Sequence, residues 1–481
     1  MKVSLSSILM AALISTNSVS VCSAQDRQVK LTEGSSTTST VVIPSTTELT
    51  SDDGNSIVDP GKTDDGPDSF GAEPTGEGGR VSTVGDLKES GPRIDPKDGW
   101  AGDWNIDTNT DVDMMAGLFN LVLKQGSVGY SFSIFRNGSE VASGAGGNAK
   151  LSSNGSLVAY TTQTRQEVAS LSKTITAMAV LQALEDVGLD PFEPIVDFLP
   201  IYWDIDETIS SLTFVELLSH HSGLLNVGSW PTESEYGNIE ASLSIGRSFF
   251  EFGPEDGYAY QYNYQNVNYA VARYLLAYLV APETMLEFEE DYDYYVDTEN
   301  PAGATGTRDA HEACVQAIYM SYVRDVILVP SGVNTSIDVF DWDSTSPNVR
   351  YYNFLAQSIA GLANDDNTLT TGPRGFVMQA KETAQVMARL ETGDNVSTNV
   401  RDWMKLLLMG FLDDEDAGRV FYYKTGGNGV VDYYGRGCSA VLVLCPGNIQ
   451  VAIHTNSSSN YLGGASWIEM VEDVYDAATI D

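Results

Sequence analysis

The stretch EVASLSKTITAMAVLQALEDVG, residues 167–188, sets Ser170 three places ahead of Lys173 at the mouth of an apolar run that carries no other lysine. On a helix, positions three apart share a face, so the Lys173 amine reaches the Ser170 hydroxyl one turn back. A serine at a helix start also sits at the positive end of the dipole, where unpaired N–H groups face any oxyanion that forms there. Ile175, Met178, Val180 and Leu181 make the helix a buried one. Desolvation lowers a lysine's pKa and equips Lys173 to accept the Ser170 proton. Alone, Ser-x-x-Lys is far more often a capped helix with a surface lysine than a nucleophile with its base.

Two further boxes change that balance. Tyr264-Gln265-Asn266 lies in YQYNYQNVNYAVARYLL, residues 260–276, ahead of an apolar helical run, and Asn266 selects Tyr264 over Tyr260 and Tyr262. Lys424-Thr425-Gly426 ends the β-type run of FYYKTGGNG, residues 421–429. Ser172 is a second nearby hydroxyl, but the spacing to Lys173 favours Ser170. In this order and at these separations, the three boxes resemble those of the serine β-lactamase and penicillin-binding-protein superfamily. The Tyr-x-Asn box is similar to the branch holding class C β-lactamases, D-alanyl-D-alanine carboxypeptidases and related esterases. FVELLSHHSGLL (214–225), YVRDVILVPSGVNTS (322–336) and residues 361–393 look like further segments of that branch. The resemblance spans residues 112–478.

The resemblance implies that Ser170 is the acylated nucleophile and Lys173 its proton partner, with Tyr264 as a shared base that later serves the leaving group. It implies that Asn266 bonds Lys173 or a substrate amide, and that Lys424 and Thr425 of the Lys424-Thr425-Gly426 box bind a substrate carboxylate. The N–H groups of Ser170 and Gly427 would form the oxyanion hole. Whether Lys173 or Tyr264 takes the first proton is open. The implied activity is that of a serine hydrolase on an amide or ester, of β-lactam or D-amino-acid peptide type, with no cofactor and no metal. A carboxylesterase or acyltransferase of the same fold, and a non-catalytic binding protein that keeps the fold, are the alternatives.

Periodicity supplies the frame. DVDMMAGLFNLVLK (111–124) has helical spacing, and Asn137-Gly138 joins two strands in VGYSFSIFRNGSEVASGAGG (128–147). Residues 212–360 read mostly as helix and loop. AKETAQVMARLETG (380–393) is a helix before three β-runs, 419–427, 437–445 and 448–456, the last two joined at Pro446-Gly447-Asn448; residues 465–478 close the chain as an amphipathic helix. The fold class is therefore α/β (α+β), β-lactamase/transpeptidase-like: an antiparallel sheet built from both ends of the chain, flanked by helices, with an inserted helical subdomain over about 174–365. The acidic segment 285–310 reads as an insertion near the cleft.

The chain has 481 residues and a formal charge of −40, from 26 Lys and Arg against 66 Asp and Glu. That balance excludes nucleic acid and an anionic membrane as partners. Residues 1–24 read as a secretory signal peptide and 25–99 as a disordered Ser/Thr/Gly/Asp-rich leader, with the catalytic domain over 100–481. The mature chain is then exported, soluble and without a membrane span. Its sequons, at Asn137, Asn154, Asn334, Asn395 and Asn456, are compatible with glycosylation. Cys438 and Cys445 flank a strand too long for them to pair, which leaves Cys314 as a possible partner for one of them. Four histidines without a Gly-x-Ser-x-Gly elbow disfavour a Ser-His-Asp triad. His220 and His221 read as a helix end, and the acidic run 103–113 lacks the glycine and glutamate of a calcium loop.

Overall fold

The computed structural model describes residues 109–227, 235–247, 260–334, 349–363, 370–416, 418–428, 435–458 and 466–479. The expected signal peptide and leader, and Asp103 to Asp107 of the acidic run, lie outside the described residues. Asp111 caps the first helix, α1 (Val112–Gly126), by accepting from the N–H groups of Asp113 and Met114 at 3.0 Å each. A capping aspartate needs no ion to account for it.

The hairpin forms as its Asn-Gly signal demands: β1 (Gly129–Arg136) turns through Asn137 and Gly138, both at positive φ, into β2 (Ser139–Lys150). β3 (Val158–Ala159) extends that edge, and β4 (Gln166–Glu167) leads into the quoted stretch, whose helix α2 spans Ser172–Val187. Next come α3 (Phe214–Leu218), α4 (Glu235–Ile245), α5 (Asn266–Val280), α6 (Pro282–Asp297) and α7 (Pro301–Tyr322), then β5 (Tyr352–Asn353) and β6 (Val377–Met378). Helices α8 (Ala380–Thr392) and α9 (Thr398–Leu406) precede strands β7 (Leu412–Asp416), β8 (Arg419–Asn428), β9 (Cys438–Cys445) and β10 (Ile449–Thr455). The short β11 (Ser457–Ser458) and helix α10 (Trp467–Ala478) finish the chain.

Seven strands form one sheet in the order β3-β2-β1-β10-β9-β8-β7, every pair antiparallel. Strands from the two ends of the chain meet at β1 and β10, so the sheet is built as the sequence implies. Every residue of β10 is buried, the signature of a strand covered on both faces. On one face Met115, Phe119 and Leu123 of α1 and Val471, Val474 and Tyr475 of α10 pack against Phe132, Val441, Val451 and Ile453. Helix α8 covers the other face over β1 and β10. The edge strand β7, LDDED, carries the charges that keep an open edge from pairing.

The described residues divide between two compact units, and Leu286–Cys314, most of the acidic insertion, belongs to the smaller. Within it the ring of Phe288 stacks on His311 at 5.3 Å, and burial pushes the His311 imidazole down to about 4.

Among the described residues, Cys314, Cys438 and Cys445 are buried and form no disulfide with one another, against the expected pairing of Cys314 with one of the other two. Asn456 and Asn395 are buried, and their amide nitrogens donate to backbone carbonyls, as does that of Asn154. The amides of Asn395 and Asn456 are thereby spent inside the fold.

Candidate active site

Ser170 sits in a single 3-10 turn, Ala169–Leu171, immediately ahead of α2. Ala169 holds a φ of +49°, a left-handed conformation that costs a residue with a Cβ about 1–2 kcal/mol. Such strain persists only where neighbours impose it. Here the Val168 N–H donates to the Phe376 carbonyl at 2.9 Å, the Glu167 N–H donates to the Tyr351 hydroxyl at 3.1 Å, and Arg374 grips the buried Glu167 carboxylate at 3.0 Å. From β8, Gly426 closes against the same turn. A Cβ there would stand 2.1 Å from the Val168 oxygen and 3.2 Å from the Ser170 nitrogen, so no side chain fits.

Lys173, one turn along, is fully buried. Its Nζ donates to Asn266 Oδ1 and to the Pro373 carbonyl at 2.9 Å each, and lies 3.1 Å from Ser170 Oγ. The first two partners accept only, so they hold two N–H groups in either protonation state. The third direction, toward Ser170, is an N–H in the ammonium and a lone pair in the amine. Tyr264 Oη donates to Ser170 Oγ at 2.6 Å. The serine oxygen is thus within hydrogen-bond reach of both Lys173 and Tyr264. Lys173 and Lys424 each place Nζ 4.8 Å from the Tyr264 ring centroid, so two lysine nitrogens flank the phenol ring.

The structure brings together Ser170, Lys173, Tyr264, Asn266, Lys424 and Gly426. Lys424 is only 3% exposed, beside Tyr264, while Thr425 is partly exposed and Gly427 is exposed at the strand end. Of the three tyrosines, Tyr264 is the one hydrogen-bonded to Ser170, while Tyr260 lies under the Arg247 guanidinium at 3.9 Å and Tyr262 is 39% exposed. Ser172 is buried, with its hydroxyl accepting from the Phe376 N–H at 3.4 Å. Among the described residues, no three His, Cys, Asp or Glu side chains converge on a metal position.

Two parts of the site are absent from the sequence reading. The Pro373 carbonyl holds Lys173, and a backbone oxygen leaves no mark in residue type. His220 follows the end of α3, as its helix-end reading requires, yet its ring lies 4.6 Å from that of Tyr264. Burial, then the charges of Lys424 and Lys173, push the His220 imidazole well below its ordinary value. Its backbone holds a φ of +63°, a left-handed conformation invisible in the sequence.

A family model described as Beta-lactamase matches residues 106–292. Solved structures share the fold. D-amino acid amidase from Ochrobactrum anthropi SV3 complexed with L-phenylalanine amide is 16% identical with a TM-score of 0.52, over 76% of this chain and 98% of that one. A D-stereospecific amidohydrolase from Streptomyces sp. is 15% identical at 0.51, over 77% and 100%. FmtA from Staphylococcus aureus is 13% identical at 0.52, over 78% and 91%. Comparison with curated proteins gives no match. The family-model match over residues 106–292 and the shared fold make the chain similar to the serine β-lactamase and penicillin-binding-protein superfamily.

Proposed function

We propose that the protein is a serine hydrolase working through an acyl-enzyme on Ser170. The observation that carries the reading is the position of Ser170 Oγ, 2.6 Å from Tyr264 Oη and 3.1 Å from a buried Lys173 Nζ. In this reading Ser170 gives its proton to Lys173 or Tyr264 as its oxygen attacks the substrate carbonyl carbon. The N–H groups of Ser170 and Gly427 receive the oxyanion. The proton passes through Tyr264 to the departing amine or alcohol as the tetrahedral intermediate collapses to an ester. Water then attacks that ester, losing a proton to the same base, and the acid leaves as Ser170 regains its hydrogen.

The substrate class we propose is an amide or ester near a carboxylate, of β-lactam or D-amino-acid peptide type. Support comes from the Lys424-Thr425 pair at the end of β8, and from the fold shared with a D-amino acid amidase and a D-stereospecific amidohydrolase. The 3% exposure of Lys424 supports a second reading, an esterase or acyltransferase whose substrate needs no carboxylate. Labelling with a fluorescent penicillin and a fluorophosphonate, on wild type and Ser170→Ala, separates them. Adducts with both probes on wild type only are expected; labelling by fluorophosphonate alone selects the esterase, and no Ser170-dependent adduct overturns both. Export through residues 1–24 belongs to the same proposal, and N-terminal sequencing of the mature protein tests it.

A further inference from the structure

Among the described residues, the side-chain hydrogen bonds and tyrosine ring contacts of His220, and one bond of its backbone, tie it to the segment that carries Tyr264 and Asn266. The His220 carbonyl accepts from the Asn263 N–H at 2.8 Å. Its Nδ1 meets Asn268 Nδ2 at 2.8 Å and the Gln265 N–H at 3.4 Å. Its ring packs against those of Tyr264, Tyr269 and Tyr262 at 4.6, 5.3 and 5.9 Å. The segment 262–269 is wrapped around one imidazole.

The hydrogen bonds also fix the tautomer. A backbone N–H only donates, so the Nδ1 facing Gln265 accepts. Asn268 then presents its NH2 to the ring, which agrees with the Ser222 hydroxyl donating to Asn268 Oδ1 at 2.7 Å while accepting from the Leu224 N–H at 3.0 Å. An imidazolium would point a proton at two donors. The ring proton is therefore on Nε2, which is buried and has no partner among the described residues. Arg247 anchors the far end of this chain, donating to the Ser222 carbonyl at 2.7 Å and to Glu216 at 2.9 Å.

We infer that His220, locked as the Nε2–H tautomer in a left-handed backbone, is the positioning residue that sets the Tyr264 hydroxyl on Ser170. This deepens the proposed acyl-enzyme reading and rests on it. A role confined to folding would lower the amount of folded protein and leave the reactivity of the folded fraction unchanged. A positioning role slows acylation in folded protein, since a displacement of about 1 Å costs up to about a hundredfold in rate.

The test uses two variants with opposite losses. His220→Asn keeps an acceptor for Asn268 and Gln265 and tolerates positive φ, but removes the ring. His220→Phe keeps the ring and removes the acceptor. For each, the acylation rate constant and half-saturating concentration of a fluorophosphonate are measured on protein shown folded by circular dichroism, alongside nitrogen-15 NMR of the wild-type histidines. We expect a rate constant lowered about tenfold to a hundredfold with half-saturation little changed, and an unprotonated Nδ1 on His220. Wild-type rate constants in folded variants, or an Nδ1–H signal from His220, overturn the inference. The NMR result is independent of activity, so loss of the Ser170 reading through an unreactive wild type is told apart from failure of the tautomer.

Discussion

Ser170 owes its standing to neighbours that few single residues announce. Its own box gives the serine and the lysine, yet the geometry depends on Pro373 and Asn266 holding two Lys173 protons and on Tyr264 closing to 2.6 Å. Replacing Tyr264 by Phe removes one proton acceptor and should slow acylation about 10²–10⁴-fold with little change in thermal stability, measured by stopped-flow labelling. Lys173→Met should be as severe, because it also strands the half-buried Asn266 oxygen and the buried Pro373 carbonyl; a drop of several degrees in Tm is expected with the lost rate. A Tyr264→Phe enzyme with wild-type acylation would remove Tyr264 from the proton path.

At the scale of elements, the site is where β8 meets the turn before α2. The hairpin, α1, α8, α10 and the last three β-runs were legible, because each is long and periodic or carries a turn signal such as Asn137-Gly138. The close approach of Gly426 to Val168 was not legible, since it joins residues far apart in the chain through a missing side chain. Gly426→Val should force β8 off the turn, lower stability by about 1–3 kcal/mol and abolish labelling, read together by denaturant unfolding and probe capture. A second joint, the buried pair of Arg165 with Glu382, ties the strand ahead of Ser170 to α8. Glu382→Ala takes the carboxylate from a buried guanidinium and leaves it hydrogen bonds to backbone carbonyls, with an expected loss of about 3–5 kcal/mol; a change below about 1 kcal/mol would show that the pair does not hold that joint.

For the whole molecule, charge and buried titrating groups set the response to solvent. His454 is fully buried and its imidazole is pushed down to about 3 by burial. The unfolded chain takes that proton near pH 6.5 and the folded one does not, so stability should fall as pH drops from about 6.5 toward 3. Glu472 acts in the opposite sense. Burial first, then Asp414, Asp416, Asp476 and Glu469, raise it to about 7. The folded state keeps a proton that the unfolded state has lost, so stability should fall as pH rises from about 4.5 to 7. Melting curves across pH should therefore show an acid limb flattened by His454→Gln and a neutral limb flattened by Glu472→Gln. A net charge of −40 should also slow anionic probes. Acylation by an anionic penicillin should quicken as salt rises from about 0.01 M to about 0.15 M and the Debye length shrinks from about 30 Å to about 8 Å, while a neutral fluorophosphonate shows no such rise.

In the proposed mechanism a single serine forms the covalent intermediate, which peptide-resolved mass spectrometry of the fluorophosphonate-treated protein reads at residue level. One adduct is expected, on Ser170, and absent from Ser170→Ala; an adduct on another residue, or one that survives that substitution, would overturn the mechanism.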